Sequence, residues 1–373
     1  MALTIRPDCR YFTGWKPCQM GECGSCSGYT PARPRVLIVK LGAAGDVVRT
    51  TCLLRRLRAE HPEAHITWVV DSDNAELLAN NPLLDRVLPM SGVLPLLLDA
   101  ETFDLALGLE HDPIGAALVT QCHADNKRGL LLSPEGKPVP TDVCAEYWYG
   151  LGLCDALRFR HNRKTYQQFM FEACGYTFCG ERHVLQLMDE ERGLALKVWR
   201  DPSLPQPSVG INLGGSPRFA GRRWPDHHVL ELVRSLQSQE LGVVLLAGVA
   251  EQERAQRLAA ECSGAVAPWP QSKRFLAAVI EALAVLVSSD TLALHLAMAV
   301  GTPAVALFGG TPWHEFESYG LADKLTAELP CSPCCRAQCD GQECMVAISP
   351  EKVLAAIEGM LNVTSSASGA LSC

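Results

Sequence analysis

From Arg35 onward the chain repeats one pattern: a short, continuous run of apolar, often β-branched residues, then a glycine turn or a helix start. Val36-Leu37-Ile38-Val39 is the first such run and reads as a strand covered on both faces, as in a parallel sheet. Leu41-Gly42-Ala43-Ala44-Gly45-Asp46 turns the chain into a helix over Val47–Glu60, whose apolar side is Val47, Val48, Leu53, Leu54 and Leu57. His65–Val70 is the next strand, which completes a βαβ unit. The alternation continues with a helix over 74–80, strands at 86–89 and 103–109, a helix over 114–124, a strand at 127–131 and a helix over 165–174. A second block opens at Ser208–Leu213 and adds helix 226–238, strand 242–246, helices 250–261 and 273–284, strand 285–287, helix 291–299 and strand 304–308. Two successive βα blocks of similar size predict an α/β protein with two Rossmann-like domains.

The domain boundaries follow. Residues 1–34 form a Cys-, Gly- and Pro-rich cap, 35–185 the first Rossmann-like domain, 186–207 a linker ending in Asp201-Pro-Ser-Leu-Pro-Gln-Pro207, and 208–330 the second domain. Residues 331–348 are a cysteine finger, 349–361 a last helix and 362–373 a small-residue tail expected to be disordered. With 373 residues and 48% hydrophobic content the chain buries a full core, which excludes a disordered protein or a disulfide-held miniprotein. A net charge of −8 gives nucleic acid no purchase. The N-terminus has no apolar signal segment and no stretch reaches membrane-spanning length, so a cytoplasmic protein with reduced thiols is expected.

Three turns carry candidate chemistry. In the first, Gly42 and Gly45 allow close backbone approach, but only G-x-x-G is present, which excludes the dinucleotide fingerprint of an NAD-dependent oxidoreductase. Asp46 after it is either a helix-capping carboxylate or a general base. In the second, Gly214-Gly215-Ser216-Pro217-Arg218-Phe219-Ala220-Gly221-Arg222-Arg223-Trp224 gathers amides, Ser216 and arginines between a strand and a helix, either a diphosphate loop or a solvated basic one. In the third, Asp290 ends a strand and His295 lies one turn into the next helix, a ligand group or a packed histidine. Gly309-Gly310-Thr311 is a further strand-to-helix turn able to hold phosphate.

With RVLIVKLGAAGDVVRTTCLLRRLR, INLGGSPRFAGRRWP, LLAGVAEQE, SSDTLALHLAMAVGTPAVALFGGT and EFESYG in order, residues 35–361 resemble glycosyltransferase family 9, the ADP-heptose heptosyltransferases of lipopolysaccharide synthesis. The resemblance implies the GT-B architecture, two Rossmann-like domains facing a cleft, and inverting transfer from a nucleotide diphosphate sugar without a catalytic divalent metal. It makes Asp46 the base, with Asp112 in Leu109-Glu110-His111-Asp112 as a rival, and puts Gly42, Gly45, Ser216, Arg218, Arg222, Asp290, Thr291, His295, Gly309, Gly310 and Thr311 on the donor, with Gly248 and Glu251 near the nucleoside. The family's DTG glycine is Leu292 here, and Cys52 replaces a proline. The donor implied is ADP-heptose. The acceptor implied is a glycan, lipid-linked or protein hydroxyl, met in the cytoplasm or at the cytoplasmic face of the inner membrane; a homo-oligomer is compatible with it. The alternative is a non-catalytic nucleotide-sugar-binding or redox-sensing protein on the same scaffold.

Seventeen cysteines set the chain apart. Cys331, Cys334, Cys339 and Cys344 supply four thiolates on one short loop, with Cys335 left over, and Cys9, Cys18, Cys23 and Cys26 supply another four. Such sets suit a closed tetrahedral metal site, zinc or iron, or an iron–sulfur cluster. The C-terminal set resembles the iron-holding finger in a branch of family 9 that glycosylates autotransporters, which implies a structural metal.

Overall fold

The structure is a computed structural model that describes residues 4–16, 18–198, 204–215, 221–262, 265–268, 271–336, 339 and 343–369. The chain divides into two compact units. The first comprises residues 1–43, 50–152 and 168–181, and the second residues 44–49, 153–167 and 182–373.

The strands are β1 (Arg35–Val39), β2 (His65–Val70), β3 (Arg86–Pro89), β4 (Thr102–Gly108), β5 (His123–Leu132) and β6 (Pro138–Pro140), then β7 (Ser208–Asn212), β8 (Gly242–Leu246), β9 (Ala265–Val266), β10 (Val285–Ser289), β11 (Ala304–Phe308) and β12 (Ala322–Thr326). The α-helices are α1 (Ala44–Thr50), α2 (Leu53–Glu60), α3 (Leu94–Asp99), α4 (Pro113–Gln121), α5 (Val143–Leu153), α6 (Tyr166–Ala173), α7 (Asp189–Ala195), α8 (Asp226–Ser238), α9 (Gln252–Glu261), α10 (Lys273–Glu281), α11 (Leu292–Val300), α12 (Glu343–Val346) and α13 (Pro350–Gly369).

The first sheet has the order β3-β2-β1-β4-β5-β6, parallel except for the β5–β6 pair. The second has the order β12-β11-β10-β7-β8-β9 and is parallel throughout. Both are doubly wound orders in which the strand sequence reverses at one point, between β1 and β4 and between β7 and β10. The two Rossmann-like units expected from the sequence are therefore present. Every residue of β8, β10 and β11 is buried, which is why β8, β11 and the Val285–Val287 part of β10 read as unbroken apolar runs. Their core is built with α8, α9 and α13, around Leu232, Leu236, Leu258 and Ile357.

Several boundaries differ from the sequence reading. The helix expected over 47–60 is two helices, broken at Thr51-Cys52 beside the β-branched pair Thr50-Thr51, which is stiff and a poor helix former. The units do not part in the Pro-rich stretch. Residues 153–167 and everything from Arg182 belong to the second unit, because α7 is bolted to α10 by Arg192–Glu281 (2.7 Å) and by the Arg274–Glu191 pair. Of the tail expected to be disordered, residues 362–369 continue α13, there being no proline or glycine between Asn362 and Ser368 to stop it, and residues 370–373 lie outside the described residues. Helix α5 escaped the sequence reading because Val143–Leu153 is apolar on all sides and carries no 3.6-residue pattern. The N-terminal cap makes one isolated bridge, Cys9 with Pro31. It is tied to the first unit by Arg10, which donates to Asp85 (2.7 Å) and to the Ala64 carbonyl (2.9 Å).

Candidate active site

The switch point of the second sheet is knitted by side chains at the carboxyl ends of β7 and β10. Asn212 Nδ2 donates to Ser288 Oγ (3.1 Å) and Thr291 Oγ1 (3.0 Å), and its Oδ1 accepts from the Gly214 amide (3.3 Å). Thr291 is the N-cap of α11, yet its hydroxyl is turned to Asn212 and Ser288 and does not cap the helix. The amides and dipole of that helix end are a suitable place for an anion. Asn212 was not singled out from the sequence, although it stands in the INLGG motif.

Asp290 follows directly. Arg222 Nη1 donates to its carbonyl (3.1 Å) and lies 4.0 Å from its carboxylate, and His295 Nε2 lies 3.5 Å from its Oδ1. Burial raises the carboxyl pKa. The hydrogen bond and charge of His295, then Arg222 and Arg49, outweigh burial and hold Asp290 well below the usual carboxylate range. Asp290, His295 and Arg222 thus belong to one charged cluster.

Residues Ala44–Arg49 of α1 belong to this same unit. Asp46 is the third residue of α1, inside the first turn and not at the cap. Arg49 Nε and Nη2 reach its Oδ1 at 3.0 and 2.8 Å. The Arg49 guanidinium lies 3.5 Å over the Tyr166 ring. Burial lowers the Arg49 pKa, but Asp46, Tyr166, Asp290 and Glu315 together hold it raised. A Cβ on Gly45 would stand 2.5 Å from His295 Cδ2, so the absent side chain lets α1 close onto His295.

A third arginine joins the cluster. Arg158 Nε and Nη2 grip the two oxygens of buried Glu315, each at 2.8 Å, and His314 Nε2 meets the Arg158 carbonyl at 3.1 Å. Neither Arg158 nor Arg254 was picked out from the sequence. Arg254 holds the loop after β7 in place through the carbonyls of Leu213 and Trp224, 2.9 Å each, and through Asp226. In a sequence each of these two is one arginine among many, and only the fold shows its partner.

The last turn, Gly309-Gly310-Thr311, is occupied by the cysteine finger. A Cβ on Gly309 would meet Met345 Sδ at 2.6 Å and Cys344 Sγ at 2.9 Å. The amides of Cys334 and Cys335 both donate to the Gly310 carbonyl, at 2.9 and 2.8 Å. Thr311 is buried and lines, with Gly310, Arg222 and the cysteines of the finger, a cavity of about 60 Å³. Gly248 lies against Glu251, whose Oε2 a Cβ on Gly248 would meet at 3.1 Å, and Glu251 is buried against Arg223 (3.1 Å). Ser216 and Arg218 lie outside the described residues.

The first unit contains the other candidates. The amides of Leu41 and Gly42 both donate to Glu110 Oε1 (2.6 and 2.9 Å), and Lys40 Nζ lies 3.1 Å from the same oxygen; Lys40, Leu41 and Glu110 are buried and Gly42 is partly so. Gly42 gives its amide to a carboxylate of the protein. Burial pushes the Glu110 carboxyl up, against the pull of Lys40 and the two amides. Asp112 is exposed and caps α4, its Oδ1 accepting from the Ile114 amide at 2.8 Å, so a capping role accounts for it.

The cysteines are free thiols among the described residues. No group of three or more His, Cys, Asp or Glu side chains there is gathered closely enough to hold a metal ion. Among the described residues no helix is long and apolar enough to cross a membrane.

The family model described as "Glycosyltransferase family 9 (heptosyltransferase)" matches residues 155–345, just over half of the chain. Lipopolysaccharide heptosyltransferase 1 of Pseudomonas aeruginosa is 26% identical over 88% of this chain and 98% of its own length. A glycosyl transferase family 9 structure from Veillonella parvula superposes with a TM-score of 0.71 at 20% identity, covering 88% of this chain and 97% of its own. The E. coli heptosyltransferase WaaC with ADP-2-deoxy-2-fluoro heptose gives 0.59 at 19% identity, over 87% and 99%. The iron-containing, dodecameric heptosyltransferase TibC with ADP-D-beta-D-heptose gives 0.54 at 12% identity, over 89% and 77%. These structural likenesses confirm the GT-B fold class, and the family match assigns what it is used for: the protein belongs to glycosyltransferase family 9 and is a glycosyltransferase.

Proposed function

We propose that the enzyme moves a heptose from ADP-heptose, with inversion, to a hydroxyl of a lipopolysaccharide or other cell-surface acceptor, or of a protein serine. The observation that carries this reading is the placement of Asp46 on a helix of the same unit as Asp290, Arg222, His295 and Thr311, with Arg49 charge-coupled to both aspartates. Asp46 takes the proton of the acceptor hydroxyl as its oxygen attacks the anomeric carbon. The sugar–phosphate bond breaks, and the charge growing on the diphosphate is met by Arg222, the amides opening α11 and the Thr311 hydroxyl. Asp290 remains ionised beside His295 and is suited to accept hydrogen bonds from sugar or ribose hydroxyls. The arginines supply the positive charge that a divalent cation supplies in other transferases. The names of the relatives, lipopolysaccharide heptosyltransferase and heptosyltransferase with bound ADP-sugar, support the donor assignment. The reaction then belongs to the cytoplasm, and to the inner face of the inner membrane when the acceptor is lipid-linked.

We further propose a structural metal, iron or zinc, on Cys331, Cys334, Cys339 and Cys344. Their chemistry fits: four thiolates are the donor set of a closed tetrahedral site, and Cys331, Cys334, Cys339 and Cys344 line one cavity. Bound there, the metal would fix the finger against Gly309-Gly310. A second site on Cys9, Cys18, Cys23 and Cys26 rests on their spacing. Metal analysis of anaerobically purified protein tests both; a content near zero refutes them. Asp46→Asn tests the base: transfer is abolished while ADP still binds. Unchanged transfer would move the role to Asp112.

A further inference from the structure

Three arginines and three carboxylates of the second unit pair off. Arg158 holds both oxygens of Glu315 at 2.8 Å, and Arg222 lies 4.0 Å from the carboxylate of Asp290. Arg49 puts Nε and Nη2 on one oxygen of Asp46, at 3.0 and 2.8 Å. These pairs sum to no net charge, and a nucleoside diphosphate brings negative charge to them. Added negative charge favours the protonated form of a carboxyl group, and a protonated Asp46 cannot take the proton of a hydroxyl. The Arg49 pair is also the one backed by an aromatic ring. Its guanidinium lies 3.5 Å over Tyr166, a buried residue, and only 15% of the Arg49 side chain meets solvent. An exposed pair three residues apart on a helix is weak, because it spends side-chain entropy and acts through water. A guanidinium laid on a buried ring has already given up that freedom, and it acts through a lower dielectric.

We propose that Arg49 is a positioning residue for the transfer: fixed over Tyr166, its guanidinium holds the Asp46 carboxylate aimed and ionised against the negative charge that the donor brings. The proposal rests on the reading of Asp46 as the base. A carboxylate paired with an arginine is a weak base. The acceptor hydroxyl turns acidic as its oxygen bonds to the anomeric carbon, so the step asks of Asp46 that it be ionised and in place. Arg49 is committed to Asp46 and Tyr166, which leaves the diphosphate to Arg222. The charged and titratable groups around the pair are Tyr166, Arg158, Asp290 and Glu315, with His295 packed against Gly45 and His183 within reach of the Arg49 charge.

The test is a carbon NMR titration of the full-length protein with its aspartates labelled at the carboxyl carbon. The resonance missing from Asp46→Asn belongs to Asp46, and its midpoint is compared between wild type and Arg49→Met. Removing the cation raises the midpoint by about 1–3 pH units; an unchanged midpoint overturns the proposal whether or not the sample turns over. Turnover of ADP-heptose with a heptose-free lipopolysaccharide is the second readout. The kcat of Arg49→Met relative to wild type is lowest at acid pH and recovers as the pH rises, with the donor KM unchanged. A deficit equal at every pH is a merely structural loss, and a raised donor KM at full kcat makes Arg49 a diphosphate ligand; either overturns the proposal and leaves Asp46 as the base. Arg49→Lys guards against an Arg49→Met that fails to fold. It keeps the charge without the paired N–H bonds, so the midpoint stays near that of wild type while kcat falls ~10–10²-fold, the cost of a misaimed group. Full kcat in Arg49→Lys overturns the proposal. Turnover by Asp46→Asn equal to wild type overturns the base reading and the proposal with it.

Discussion

Replacing Gly45 by alanine separates two accounts of the first glycine turn. In an ordinary helix the change stabilises by up to ~1 kcal/mol, because alanine loses less entropy on folding. Here the new Cβ would stand 2.5 Å from His295 Cδ2, inside any real contact, and His295 is itself buried. Forcing a methyl into a packed site costs ~1–3 kcal/mol. The two effects leave a net loss of up to ~3 kcal/mol, about 1.5 kcal/mol at the middle of the ranges, which at ~2–4 °C per kcal/mol lowers the melting temperature by several degrees. The assay is thermal or urea unfolding of Gly45→Ala, His295→Ala and the double variant. Removing the imidazole removes the clash, so the cycle shows a coupling of ~1–3 kcal/mol and the double variant is more stable than the two single losses add up to. Because α1 carries Asp46, Gly45→Ala also slows transfer, and the double variant recovers no activity, having lost the partner of Asp290. A neutral or stabilising Gly45→Ala, or a cycle that adds without coupling, would refute the packing argument. Gly42→Ala is the internal contrast, its nearest neighbours, Asn74 and Asp71, being at an ordinary 3.5 Å.

Two more outcomes follow from the buried charges. Lys40→Met leaves Glu110 inside the first unit without its cation, a loss of ~3 kcal/mol that urea unfolding measures. That loss shrinks as the pH falls and Glu110 takes up a proton; Lys40→Met with Glu110→Gln recovers part of it, and a pH-independent loss would contradict the pairing. His65, His183, His228 and His314 all have pKa values lowered by burial. The unfolded chain therefore binds protons before the native one does, so stability is fully present above about 6.5 and is lost as the pH falls below it. The melting temperature drops between pH 7.5 and 5.5, and the drop is smaller in His183→Phe; an equal drop would absolve His183.

What the sequence discloses is the part governed by local pattern. Strands β8 and β11, and the apolar stretches Val209–Ile211 of β7 and Val285–Val287 of β10, are legible because burial on both faces keeps those runs free of polar side chains. The turns after β1, β7, β10 and β11 are legible because a strand-to-helix turn needs small or polar residues there. The positions of Asp46, Asp290 and His295 follow from those turns. What a glycine or an arginine is for is a matter of long-range partners and cannot be read from spacing. Gly45 lies against a histidine 250 residues further along the chain, Gly42 gives its amide to Glu110, and Arg158 grips Glu315. The unit boundaries were misread for the same reason: a Pro-rich stretch looks like a linker, while the ion pairs of α7 with α10 that tie it into the second unit involve residues 83 and 89 positions apart.

The central claim, transfer of a heptose from an ADP-linked donor, is met most directly by turnover with a panel of nucleotide sugars, with release of the nucleoside diphosphate as the readout. ADP release from ADP-heptose, dependent on an acceptor and lost in Asp46→Asn, is the predicted result. Release from UDP-sugars or ADP-hexoses with none from ADP-heptose would contradict it.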